Sequence, residues 1–143
     1  MSFLLALSVP AFASLGGRAD SIEADRAAMK GSVQARQGAV YSVHEIQGAA
    51  GTVVREYLSS DGTVFAVAWQ GRFAPDLEKL LGTYFDQYSA GVKAQKSSYV
   101  GRRPLDLELP GLVVQRRGHL RAESGRAYLP ERVPLGVKVE ELW

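Results

Sequence analysis

The chain has 143 residues, 46% hydrophobic and 22% charged, which suits one folded domain and excludes a disordered or low-complexity chain. It contains no cysteine, so disulfides and thiolate metal sites are excluded, and with two histidines a zinc site would need carboxylates. The net charge of +2 is unevenly spread: residues 14–92 hold seven Lys/Arg against nine Asp/Glu, and residues 93–143 hold ten against six.

The first residues read as the end of a secretory signal peptide. Phe3–Pro10 is a short apolar run, and Ala11-Phe12-Ala13 is the small-x-small tripeptide that a signal peptidase cuts. The run is far shorter than the ~20 residues of a membrane span. Residues 1–13 are therefore expected to be a truncated signal, although no Lys or Arg precedes the run. Residues 14–143 are expected to form a single exported α+β domain with no transmembrane anchor.

Asp20-Ser21-Ile22-Glu23 has the form of a capping box, and a short helix is expected from there to about Lys30, ended by Gly31. Residues 31–38 read as a loop. Val40–Ile46, Thr52–Leu58 and Thr63–Trp69 are rich in β-branched and aromatic residues and are separated by turn signals, so they read as an antiparallel meander. Asp61-Gly62 as a two-residue turn pairs Leu58 with Phe65, Glu56 with Val67 and Val54 with Trp69. Gly48–Gly51 as a four-residue loop adds Tyr41 and Val43 to the face of Val54, Leu58, Phe65, Val67 and Trp69. Arg55, Tyr57, Ala66 and Ala68 take the other face, where the alanines leave room for another element.

Leu77, Leu80, Leu81, Tyr84 and Tyr88 recur at helical spacing, with Pro75-Asp76 at the start and Gly91 near the end. This main helix, Asp76–Tyr88, should cover one face of the meander, and Gly82 within it marks close packing or a bend. Residues 92–104 read as a basic loop. Leu105–Leu109 reads as an edge strand stopped by Pro110. Leu112–Arg117 and His119–Ala122 form a β segment interrupted by Gly118, Ala122–Gly125 turns it and Arg126–Leu129 returns it. Val137 and Val139 suggest a last short strand.

Two blocks carry a family likeness. Val53–Tyr57 with Asp61–Trp69 is one, and Gly118–Arg121 with Ser124–Pro130 is the other. With Pro75-Asp76-Leu77 and Leu80-Leu81-Gly82 between them, the chain resembles an uncharacterised family of exported proteobacterial proteins known as a domain of unknown function. The resemblance implies export and a single domain, and it implies no activity.

Chemistry-bearing motifs are few. There is no G-x-S-x-G elbow and no phosphate-binding glycine loop. In the register above, Glu45 and Glu56 lie diagonally on the apolar face, ~7–8 Å apart, within reach of an acid–base pair. The favoured reading is instead that Glu45, near a strand end, reaches water and Glu56 pairs with an arginine such as Arg72. His44, placed beside Arg55 on the other face, reads as a structural or surface histidine rather than a ligand. Arg117, His119 and Arg121 recur at spacing two, with Arg126 and Tyr128 nearby, so a cationic strand face could bind a carboxylate, a phosphate or an acidic polymer. Nucleic acid is disfavoured because no aromatic stacking platform interleaves with the Lys/Arg. No cofactor and no metal are expected. The expected function is an exported, periplasmic or secreted, non-enzymatic binding or interaction module. Its partner would be an unknown protein or an anionic ligand of the cell envelope, bound at Arg117, His119, Arg121, Arg126 and Tyr128. The alternative is a small envelope hydrolase using Glu45/Glu56 or His119.

Overall fold

A computed structural model describes residues 15–18, 32–48, 50–96, 104–119 and 121–143. The expected signal segment and the expected helix after Asp20 lie outside these residues. The chain is α+β, built on one seven-stranded antiparallel sheet in the order β1-β2-β3-β4-β7-β6-β5. The strands are β1 (Ser32–Gln37), β2 (Tyr41–Gln47), β3 (Val53–Ser59), β4 (Val64–Gly71), β5 (Leu105–Leu109), β6 (Leu112–His119) and β7 (Ala122–Tyr128). The meander is present as expected, but it is joined edge to edge with the C-terminal strands, because β4 pairs with β7.

Residues 32–37 are a strand rather than a loop. Gln34–Gln37 are exposed and weakly hydrophobic, so their strand character comes from backbone pairing with β2 and leaves no apolar alternation to read. The β2–β3 connection spans Gly48–Thr52, closed by the Gly48 amide on the Thr52 carbonyl at 2.8 Å, with Gly51 at φ 83°. It is one residue longer than expected. Gln47 therefore faces Val53 and Ile46 faces Val54, and this slip turns β2 over. Tyr41 and Val43 accordingly lie opposite Ser59 and Tyr57, on the face first assigned to Arg55 and Tyr57.

The Asp61-Gly62 hairpin holds the expected pairs Val54–Trp69 and Glu56–Val67. A bulge then makes Leu58 face Val64, leaving Phe65 as an extra residue. Phe65 packs in the second core with Tyr57, Ala66, Ala68 and Leu142 rather than with Val54 and Trp69. It meets Tyr41 edge-on at 6.0 Å between ring centres.

The main helix is in two pieces. Asp76 caps α1 (Leu77–Leu81) by accepting from the Lys79 amide, and Gly82 at φ 54°, ψ −123° breaks it. After a 3-10 turn, α2 runs from Phe85 to Lys96, past Tyr88 and through part of the expected basic loop. Leu80, Leu81 and Tyr88 are buried on the sheet with Leu77 and Tyr84 beside them, so the expected stripe is the packing face. Leu15 is buried in the same layer, its amide donating to the Leu80 carbonyl at 2.9 Å.

The C-terminal hairpin does not turn at 122–125: His119 already pairs with Ala122, and Arg121 takes φ 64°. Gly125 lies mid-strand opposite Trp69, where a β-carbon would come within 2.2 Å of the indole. The absent side chain makes room for the tryptophan. Val137 and Val139 form no strand. Residues 129–143 fold through two 3-10 turns, Pro130–Arg132 and Val139–Glu141, and lay Val133, Val137, Val139 and Leu142 on the sheet face opposite the helix. The small Ala66 and Ala68 sit beneath this strap.

Candidate functional site

The slip in β2 rearranges the carboxylates. Glu45 and Glu56 project from opposite faces of the sheet, so the diagonal acid–base pair does not exist. Glu45 faces Arg55 and accepts from its Nε at 2.9 Å, and it also accepts from Gln47 Nε2 at 3.2 Å. These hydrogen bonds, Gln47 foremost, hold the Glu45 carboxyl below the usual carboxylate range. Arg72, considered as a partner for Glu56, lies over the Phe73 ring at 5.6 Å. Glu56 is opposite His44, on the helix-facing side. His44 was expected beside Arg55.

Glu56 is fully buried and lines a cleft. The cleft has a volume of about 210 Å³. Its walls are built by three connections. β2 and β3 supply Ile46 and Val54, the Gly48–Thr52 turn supplies Ala50 and Thr52, and the entry to α1 supplies Pro75 and Leu80. Thr52 is buried and donates its hydroxyl to the Phe73 carbonyl at 3.1 Å, which fixes the segment before Pro75 against the turn. Asp76 and Lys79 line the cleft with half-exposed side chains 3.6 Å apart, and so mark its rim. Phe73, two residues before Pro75, is 61% exposed.

A second hollow of about 200 Å³ lies at the other end of the same strands, lined by Gln37–Ser42, His44, Leu58 and the 59–62 turn. His44 Nδ1 is buried there and meets no hydrogen-bond partner among the described residues. Burial lowers the His44 pKa below the ordinary 6.5.

The cationic residues singled out in the C-terminal half occupy two settings. By register, Arg117, Arg126 and Tyr128 belong to the strap-facing side, the His119 backbone pairs with Ala122, and Arg121 is exposed in the turn. Spacing two holds for Arg117 and His119 along β6, and the turn takes Arg121 out of that row. Arg117 bridges to Asp106 of the edge strand at 3.0 Å and donates to the Leu105 carbonyl at 3.3 Å. Arg126 is buried. Its Nε donates to Gln115 Oε1 at 2.6 Å and its Nη1 to the Val139 carbonyl, and its guanidinium lies 4.5 Å from the Trp143 ring centre and 5.7 Å from that of Tyr128. Burial pulls the Arg126 pKa down from its usual value. Arg116, which the sequence reading passed over, is half-buried beneath α2. It donates to Glu123 Oε1 at 2.6 and 2.8 Å and to the Tyr88 hydroxyl at 2.7 Å.

No cluster of three or more His, Cys, Asp or Glu side chains among the described residues could hold a metal. No helix among them is long and apolar enough to cross a membrane. The cleft itself was not legible in the sequence. A five-residue turn opened by Gly48, with Gly51 at positive φ and Thr52 closing it, was the signal that would have set β2 correctly.

Residues 11–142 match the model of a family described as a protein of unknown function (DUF2844). Comparison with curated proteins and with solved structures gave no match.

Proposed function

We propose, for a chain that belongs to this family of proteins of unknown function (DUF2844), a role as an exported, non-enzymatic binding module that takes its ligand in the Glu56 cleft. The observation that carries this reading is a cleft of about 210 Å³ with apolar walls and one fully buried carboxylate. Apolar walls with a few placed polar groups are the usual make-up of a small-molecule site. The Glu45/Glu56 form of the hydrolase alternative is disfavoured, because Glu45 is on the far side of the sheet. Of the other polar groups lining the cleft, the Thr52 hydroxyl is donated to a backbone carbonyl and Asp76 caps α1. Export rests on the apolar run and the Ala11-Phe12-Ala13 tripeptide, and places the module in the periplasm or outside the cell.

The test is Leu80→Trp, which fills the cleft with an indole. Protein recovered natively from the envelope should carry a small molecule by native mass spectrometry, and the variant should lack it. Equal loading of parent and variant would place the ligand elsewhere and overturn the reading.

Anion binding at the C-terminal hairpin is the second reading, favoured by the exposed Arg121 at the turn and by Arg117, whose side chain is 37% exposed. The His119 backbone closes the hairpin opposite Ala122, while Arg126 and Tyr128 contribute as the support beneath the strap. Phosphate titrated against labelled protein should shift amides within residues 115–128, more at pH 6 than at pH 8 if His119 takes part. Shifts spread over every Lys and Arg would mean screening alone.

A further inference from the structure

We infer that the cleft takes the alkyl end of an amphiphile, an unbranched chain of roughly eight carbons that is uncharged along its buried length, with the polar head left in water at the mouth. The inference rests on the cleft being the binding site and adds the chemistry of what enters it.

The hydrocarbon of the lining is aliphatic throughout. Ile46 and Val54 are paired across β2 and β3 and are buried, so they close the cleft on the side of the sheet. Ala50, Pro75 and Leu80 supply the rest of the apolar lining, from the β2–β3 turn and the entry to α1. Among the described residues no aromatic side chain belongs to the lining, so an aromatic ligand would find no ring to stack on or meet edge-on. An alkyl chain gains instead by taking its methylene groups out of water against these walls.

The polar side chains of the lining are already committed. Thr52 gives its hydroxyl to the Phe73 carbonyl at 3.1 Å. Asp76 accepts from the Lys79 amide at 3.3 Å and lies 3.6 Å from the Lys79 ammonium. Glu56 has no exposed surface, and Glu56 and Lys79 each have a further interaction of their own. A charged or strongly polar group entering the interior would therefore lose its hydration without gaining a partner. Asp76 and Lys79 are about half-exposed, so a head group beside them at the rim keeps its contact with water.

The volume limits the length. An apolar cavity of about 150 Å³ holds benzene, and a cleft of about 210 Å³ has room in proportion for roughly eight carbons.

The experiment titrates the full chain with straight-chain alcohols from n-butanol to n-decanol, read by amide chemical shifts at pH 7. The amides of Ile46, Val54 and Leu80 should move, and each added methylene should tighten binding about four-fold until roughly n-octanol. n-Decanol should then bind about as tightly as n-octanol, because the extra carbons lie outside. n-Octylammonium should bind no tighter than n-octanol. Affinity that does not change with chain length overturns the alkyl reading and leaves the cleft as a site of polar contacts. n-Octylammonium binding about ten-fold tighter than n-octanol overturns it too, because a carboxylate would then be meeting the head. Tightening that continues to n-decanol overturns the length. Leu80→Ala, which widens the cleft, should move the plateau to a longer chain, and an unmoved plateau in the folded variant also overturns the length. The parent series decides alone if that variant fails to fold. No shift at these amides with any alcohol overturns both the alkyl reading and the cleft as the binding site.

Discussion

Trp69 and Gly125 constrain one another. The indole is 2% exposed and lies against the bare backbone of Gly125, so each residue depends on the size of the other. Trp69→Ala should cost about 3–5 kcal/mol, as large-to-small changes in cores do. Gly125→Ala should cost at least about 1–3 kcal/mol by overpacking, because the new methyl would overlap an aromatic ring held between strand and helix layers. Urea midpoints of both variants check this, and a Gly125→Ala midpoint equal to the parent's would mean that the indole moves freely. His44 gives a pH dependence of definite sign. Its folded pKa is depressed by burial, so the folded state binds this proton less readily than the unfolded chain. The stability tied to neutral His44 is therefore complete above the unfolded value of about 6.5 and is lost as pH falls below it. The imidazole should titrate below 6.5 by NMR, and His44→Gln should flatten the stability curve between pH 5 and pH 7. Glu45 works in the same direction lower on the scale. Its carboxyl is depressed by the Gln47 and Arg55 contacts, so Glu45→Gln should lower the urea midpoint at pH 7 and have less effect near pH 3.

At the scale of elements, one residue of loop length decided which side chains meet. The β strands around Gly48–Thr52 were recognisable from their composition, yet the turn holds five residues instead of four, and that difference separates Glu45 from Glu56. The Asp61-Gly62 turn behaved as its sequence indicated as far as Glu56–Val67, with Gly62 at φ 82°. Gly62→Val should cost at least about 1–2 kcal/mol, the penalty for an L-residue in left-handed geometry, with β-branching adding to it. The Leu58–Val64 bulge was not readable, because every residue from Val64 to Trp69 is buried and an alternating pattern is absent. The break at Gly82 was foreshadowed by the glycine inside the leucine stripe. Its φ of 54° with ψ −123° is open to glycine alone, so Gly82→Ala should destabilise rather than straighten the helix. Arg126 is the tie between β7 and the C-terminal strap, through the Val139 carbonyl and the Trp143 ring, and Tyr57 adds its hydroxyl to the Trp143 carbonyl at 3.3 Å. Arg126→Met should keep the sheet and release residues 137–143, read as faster amide exchange and proteolysis there. Unchanged exchange would mean that Leu142, buried against Phe65, holds the strap without it.

At the scale of the whole molecule the sheet has two different edges. β5 is shielded by α2, whose Gln95 and Gln87 side chains donate to the Asp106 and Pro110 carbonyls at 2.9 and 2.8 Å. β1 at the other edge is exposed along Gln34–Gln37 and polar, which discourages edge-to-edge association. Between them the helix and the strap cover opposite faces of the central strands, and the cleft is where the helix entry parts from the β2–β3 turn. The proposed export makes a prediction at this scale: protein recovered from the envelope or medium should begin near Ser14, and recovery of intact Met1 only from cytoplasm would overturn it.

The sequence by itself determined the class of the fold, four of its strands closely, the apolar stripe of the helix and the turn at Asp61-Gly62. Each of these is a local property, written in side-chain periodicity or in a residue needed for one backbone conformation. It also determined the absence of cysteine chemistry and the likeness to the family. Only the tertiary structure decided that residues 32–37 join the sheet, that β4 pairs with β7, that Gly125 sits under Trp69 and that Glu56 lies alone of the two glutamates in the cleft. Those outcomes depend on long-range backbone pairing and on loop lengths that shift a register by one residue. In a strand with period two, one residue is the difference between the cleft and the opposite face.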